Sequence, residues 1–163
     1  IAGEPQPSQE HDVALIKINT VRSLSKVTML DNYADVKPGQ TVTVMGYPGV
    51  APEQYVVKKS KDVFNQRNQV TTVPTTTVTT GNIGRIIPES SDKNLTYSSF
   101  GDAYQLTINA TGAGNSGGPM FDDKGNVIGI FFAGKADAQG TKISFAVPIK
   151  YCLELMGITK VNK

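Results

Sequence analysis

Short apolar runs separated by turn residues set the texture of this chain. Thr, Val and Ile gather in "DVALIKI" (12–18), "KVTML" (26–30), "QTVTVMGY" (40–47), "TTTVTTG" (75–81), "AYQLTINA" (103–110), "NVIGIFFAG" (126–134) and "KISFAVP" (142–148). Runs of strand length with Gly, Pro, Asn and Asp between them predict a β-barrel or sandwich and argue against alternating βαβ units. "KPGQ" (37–40) and "DDKG" (122–125) carry turn chemistry where a hairpin would want it. One helix is predicted, "IKYCLELM" (149–156), with Pro148 at its start and Gly157 at its end. The first ten residues read as an exposed loop. Residues 51–70 are polar without a clean period and are expected to form a long loop or an excursion with a short element of its own.

Composition narrows the class. With 163 residues, 39% apolar and 18% charged, the chain can bury one real core and is not of disordered type. A net charge of +2 gives no electrostatic case for nucleic acid, and the basic run "KKSK" (58–61) reads as a solvated loop. Cys152 is alone, so no intrachain disulfide can form. The longest apolar run, 127–133, is far short of a membrane span. No cluster of His and Cys has ligand spacing, so no metal or other cofactor is expected. The chain starts with neither Met nor a signal-like segment, and is expected to be a mature product or a fragment.

The chemistry centres on "TGAGNSGGPMF" (111–121), where Ser116 stands among Gly112, Gly114, Gly117 and Gly118. So many glycines cost backbone entropy, which implies that a special conformation is required. The stretch formally contains G-x-G-x-x-G, but a dinucleotide site needs a helix next, and here Pro119 and a hairpin pattern follow. An idle glycine turn is the bland alternative. "GNSGGP" before a hairpin resembles the nucleophile loop of chymotrypsin-fold serine peptidases. Such a loop presents a serine hydroxyl while aiming backbone N–H groups at the oxygen of a tetrahedral intermediate. The resemblance makes Ser116 the nucleophile and the amides of Gly114 and Ser116 the oxyanion hole.

Neighbouring segments resemble the bacterial trypsin-like peptidases of the HtrA (Deg) group, in order, from about residue 11 to residue 156. "HDVALIKI" is similar to the strand that carries the triad aspartate, which would be Asp12. "VKPGQTVTVMGYPG", "TVTTGNIGRI" and "ISFAVPIKYCLEL" resemble the strands and final helix of the second barrel, with 51–74 as an insertion. The resemblance implies an all-β, trypsin-like Greek-key barrel with a C-terminal helix. Residues 1–36 would be the end of a first barrel and the crossing between barrels. Residues 37–148 would form the complete second barrel, and 149–163 the helix and tail.

The base is the missing part. The single histidine, His11, adjoins Asp12, and neighbours on an extended strand point to opposite faces. His11 is therefore expected to be a surface residue. In the family the histidine lies upstream, on the first barrel, and no such motif is present. The expected activity is serine endopeptidase, incomplete in this chain alone, with a polypeptide substrate and a partner segment of the first barrel supplying the imidazole. An inactive peptide-binding or scaffold module of the same fold is the alternative.

Position also bears on activation and specificity. Asn115 stands where animal trypsins have the Asp that pairs with a new N-terminal Ile, so Ile1 is not expected to act as such a terminus. Ala110 occupies the position of the Asp that selects Lys and Arg. Glutamate-selective relatives of the V8 type have a His just beyond a Gly-Ile pair, whereas Gly129-Ile130 is followed by Phe131. The substrate-binding residues implied are Ala110, Thr111, Ala113, Phe132, Ala133, Gly134 and Ile143, with Ile143 making the pocket shallow. A small to medium aliphatic residue is expected before the scissile bond, and the Phe132–Gly134 edge should pair with substrate backbone. The family implies an extracytoplasmic location and, with an unpaired cysteine, a bacterial source.

Overall fold

Val42, Val44 and Gly46 alternate with Thr41, Thr43 and Met45, and the first three turn inward on strand β3 (Thr41–Gly46). That period of two is what a half-buried strand requires. The computed structural model describes residues 3–49, 51, 53–59, 68–90, 101–108, 113–136 and 138–158.

Two short strands precede β3, β1 (Gln6–Pro7) and β2 (Ala14–Leu15), which pair with each other. After β3 come β4 (Gln54–Lys58), β5 (Gln69–Val73), β6 (Thr77–Ile87), β7 (Ala103–Leu106), β8 (Pro119–Phe121), β9 (Val127–Ala136), β10 (Lys142–Pro148) and the helix α1 (Lys150–Leu155). Six strands close into a barrel in the order β10-β7-β6-β3-β8-β9, every neighbour antiparallel. This is the all-β barrel with a C-terminal helix that the sequence predicts. Register shifts at Ile83/Arg85, Met120/Phe121 and Phe145/Ala146 bend the strands enough for so small a barrel to close.

The barrel is filled by Val42, Val44, Ile83, Tyr104, Leu106, Ile108, Met120, Ile128 and Phe131, all at most 2% exposed. Each such side chain contributes roughly 1.5–3 kcal/mol of transfer free energy. The β8–β9 turn is fastened by Asp122. Its Oδ1 accepts the N–H of Lys124 (2.9 Å) and of Asn126 (2.8 Å), and its Oδ2 accepts Asn126 Nδ2–H (2.9 Å). Burial alone would raise the Asp122 carboxyl, but these bonds hold it below its ordinary value. The helix ends as Pro148 and Gly157 foretell. Gly157 and Ile158 return N–H bonds to Glu154 and Leu153 at 2.9 and 2.8 Å, a Schellman closure.

Several strand expectations shrink. Of "DVALIKI" only Ala14–Leu15 is strand, because the segment has one short partner and no sheet beyond it. "KVTML" is no strand at all. It crosses the surface and touches the barrel through a single parallel bridge, Met29 to Val127. Of "AYQLTINA", Ala103–Leu106 is strand, and residues 109 and 110 lie outside the described residues. The polar stretch 51–70 is an excursion with an element of its own, the second of the two forms its sequence allows. β4 pairs with β5 as a ribbon that belongs to no larger sheet and is exposed throughout.

Candidate active site

Ser116 sits in the loop that enters β8, and two barrel strands grip that loop from either side. On one side Tyr47 N–H bonds the Gly114 carbonyl (3.3 Å) and Gly49 N–H bonds the Ala113 carbonyl (2.7 Å). On the other, Gly117 N–H bonds the Phe131 carbonyl (2.8 Å) and Phe131 N–H bonds the Gly118 carbonyl (2.9 Å). The loop is thus stitched to the end of β3 and the middle of β9, although its own residues are in no strand.

Two glycines show why the sequence must be what it is here. Gly114 has φ +104°, where an L side chain is strained, and a Cβ would run into the Tyr47 carbonyl oxygen. Gly46, at the end of β3, lies so close to Asn115 that a Cβ would strike its Oδ1. Asn115 is only 2% exposed, so its amide is packed under the loop while Ser116 beside it faces solvent. Among the described residues, neither the Gly114 N–H nor the Ser116 N–H has a partner. The Ser116 hydroxyl donates to the Phe132 carbonyl at 3.1 Å.

The expected substrate residues divide by place. Phe132 and Ala133 are half-buried and Gly134 exposed on β9. Ile143 is half-buried on β10, whose Ser144 and Phe145 lie opposite Gly134 and Ala133. The Phe132 and Phe145 rings meet at 6.2 Å between centroids, giving this end of the barrel an apolar wall. Ser144, fully buried, ties β10 to the Ile108 carbonyl (2.7 Å). Ala113 is exposed beside Gly114. Ala110 and Thr111 lie outside the described residues.

Asp12 is exposed in the bend between β1 and β2. It lines a cavity of about 420 Å³ with Pro7, Ser8, His11 and Val13. Ser116 lines a different cavity, and among the described residues its hydroxyl is bonded to the Phe132 carbonyl, not to a carboxylate. The bend is fastened by Ser8, whose Oγ accepts the N–H of Glu10 (3.3 Å) and of His11 (3.1 Å).

His11 corrects its expectation. It is not a free surface residue: its side chain is 15% exposed and stacks on Tyr151 of α1, with ring centroids 3.7 Å apart. Residues 9–12 form a bend rather than a strand, so no strand alternation fixes the faces of His11 and Asp12. Tyr151 belongs to a polar clasp that sequence reasoning missed. Lys150 pairs with Asp102 and stands 3.9 Å above the Tyr33 ring, while the Asp102 N–H donates to the Tyr151 hydroxyl at 2.6 Å. Burial alone would raise the Asp102 carboxyl, but the Lys150 bond and the Glu89 N–H bring it below its usual value. Burial likewise works against the Lys150 ammonium, and Asp102 overrides it to raise the ammonium's pKa. The clasp joins the segment before β3, the approach to β7 and α1, and its members are too far apart in sequence to leave a pattern. Burial pushes the Cys152 thiol up, which keeps it in its unreactive form.

A Gly-loop serine gripped by two strands of a closed six-stranded barrel is the signature of one class, and the comparison with known families agrees. Residues 2–130 match the trypsin-like peptidase domain, and the chain belongs to that family. It is 28% identical to Protease Do-like 5, chloroplastic, of Arabidopsis thaliana over 143 residues, covering 86% of this chain and 36% of that protein. It is 29% identical to a glutamyl endopeptidase of Staphylococcus aureus over 133 residues, covering 78% of this chain and 30% of that protein. Among solved structures, a variant of the HtrA-type protease AlgW with a tripeptide is similar, at 26% identity and a TM-score of 0.65. That match covers 96% of this chain and 44% of AlgW. The chain therefore spans about a third of the length of these curated relatives.

Proposed function

We propose that this chain is the nucleophile-bearing part of a serine endopeptidase. The observation that carries the reading is the solvent-facing Ser116, held beside a positive-φ Gly114, with the N–H groups of both residues left without partners among the described residues. Ser116 Oγ attacks the scissile carbonyl, and its proton passes to an imidazole. The Gly114 and Ser116 amides bind the oxyanion, and the amine leaves with the proton to yield an acyl-enzyme that water then hydrolyses. Asp12 orients that imidazole, which a first-barrel segment outside this chain supplies. The exposed carboxylate of Asp12, beside an open cavity, suits that role. Chain 1–163 by itself is inactive in this reading, because its one histidine is committed to Tyr151.

Specificity follows from the apolar wall. Phe132 and Ile143 are half-buried and Phe131 is 2% exposed within the core, which leaves an aliphatic residue best suited before the scissile bond. The Staphylococcus relative is called a glutamyl endopeptidase, so a peptide-library profile decides between the two preferences. An extracytoplasmic location rests on the family resemblance, and cell fractionation tests it. The lack of an imidazole beside Ser116 among the described residues, with His11 stacked on Tyr151, supports a second reading, a trypsin-fold module that binds peptides without cutting them. A fluorophosphonate probe applied to the protein made from its full reading frame separates the two. Labelling at Ser116 supports the peptidase, and an unlabelled protein carrying an upstream histidine supports the binder.

A further inference from the structure

We propose that Tyr47 is a specificity-determining residue for the leaving-group side of the substrate, the residues that follow the scissile bond. This rests on the peptidase reading above and adds to it a second binding surface. A cavity of about 400 Å³ opens beside Ser116, walled by Met45, Gly46, Tyr47 and Thr76 on one side and by residues 114 and 116–119 on the other. None of these lining residues is charged.

Its place relative to the nucleophile decides what it takes. The Phe132–Gly134 edge, where the acyl side of an extended peptide pairs, belongs to β9, and the Ser116 hydroxyl points to it through the Phe132 carbonyl. The cavity belongs to the other grip on the loop, the end of β3. A peptide that crosses Ser116 from the β9 side has its next residues in the Tyr47 cavity.

Tyr47 is built to act as a fixed wall there. Its backbone N–H is bonded to the carbonyl of Gly114, and its hydroxyl accepts a bond from Thr76 Oγ1 at 3.0 Å. Tyr47 as a residue is nevertheless 53% exposed, held at its backbone and its hydroxyl and open to a ligand. Tyr47 also lines a second cavity of about 330 Å³ with Pro48, Gly49, Glu53, Thr72 and Pro74. A ring of this kind takes a medium to large apolar side chain just after the cut.

The test compares two substrates with the same acyl side, in the protein made from its full reading frame. One is a peptide with Leu and Phe after the cut, the other an ester whose leaving group carries no amino acid. The ratio of kcat/KM for peptide over ester is expected to fall about tenfold in Tyr47→Ala, the effect of losing one apolar wall. Tyr47→Phe keeps the wall and is expected to keep the ratio within about twofold. Should Tyr47→Ala fail to fold, Tyr47→Gln provides the same loss of apolar surface with more bulk. In a peptide library, either variant is expected to lose the apolar preference after the cut. A ratio unchanged in Tyr47→Ala, or in Tyr47→Gln where the alanine variant does not fold, with Ser116 still labelled by fluorophosphonate, overturns the assignment of Tyr47 alone. Absence of labelling in the unmutated protein overturns the peptidase reading and this inference with it.

Discussion

The Ser116 hydroxyl donates to the backbone carbonyl of Phe132 at 3.1 Å. The nucleophile candidate and the strand that would hold the substrate are thus in direct contact before any substrate arrives. A hydroxyl bonded to a carbonyl is oriented but not activated, since a carbonyl cannot take its proton. Activation needs an imidazole to compete for that same hydrogen.

Ser116→Ala should therefore separate chemistry from stability. Ser116 is exposed and makes one side-chain bond, so thermal unfolding should show a loss of no more than about 1 kcal/mol. Fluorophosphonate labelling of the full protein should vanish, and peptidase activity should fall by at least about a thousandfold.

Gly114→Ala should damage both. The added Cβ meets strain at φ +104° and the Tyr47 carbonyl oxygen, so the loop must shift. A stability loss of roughly 1–3 kcal/mol is expected in urea unfolding. The labelling rate of Ser116 should fall with it, because the Gly114 amide leaves its position.

His11→Phe should leave labelling of Ser116 in the full protein within about twofold, since an aromatic ring at position 11 keeps the stack on Tyr151. His11→Ala should lower stability by about 1 kcal/mol in a thermal melt. A loss of activity in His11→Phe as large as in Ser116→Ala would instead make His11 the base.

The clasp between Asp102 and Lys150 should shape the pH dependence of stability. The Asp102 carboxyl lies below its ordinary 3.8, so its contribution is present above that value and fades as pH falls through the folded-state value. The Lys150 ammonium is raised above 10.5, so its contribution is full below that value and is lost as pH rises through the folded value. Asp102→Asn should flatten the acid limb of a stability–pH curve. Lys150→Met should cost about 1–2 kcal/mol near neutral pH, because Asp102 stays partly buried without its partner.

Local patterns reached the barrel and the nucleophile loop, and they stopped where long-range packing begins. Thr41–Gly46 was legible because alternating burial imprints a period of two on its residues, and Lys142–Pro148, buried continuously from Ser144 on, because it is a short apolar run bounded by turn residues. Ser116 and Gly114 were legible because a special backbone demands glycine, and glycine is visible in sequence. "KVTML" has the same β-rich composition as a true strand, yet it meets the barrel at one bridge, since strand formation depends on an available partner edge.

What the residues determined alone is the all-β class, the turn at Asp122, the closure of the helix at Gly157 and the identity of the serine that the loop presents. The tertiary structure decided the rest. It closed six strands into a barrel, set Ser116 against Phe132 and Tyr47 beside Gly114, and turned His11 onto Tyr151 instead of into solvent. The physical reason is the same in each case. Contacts between residues tens of positions apart depend on where whole strands land, and no local period or propensity encodes that placement.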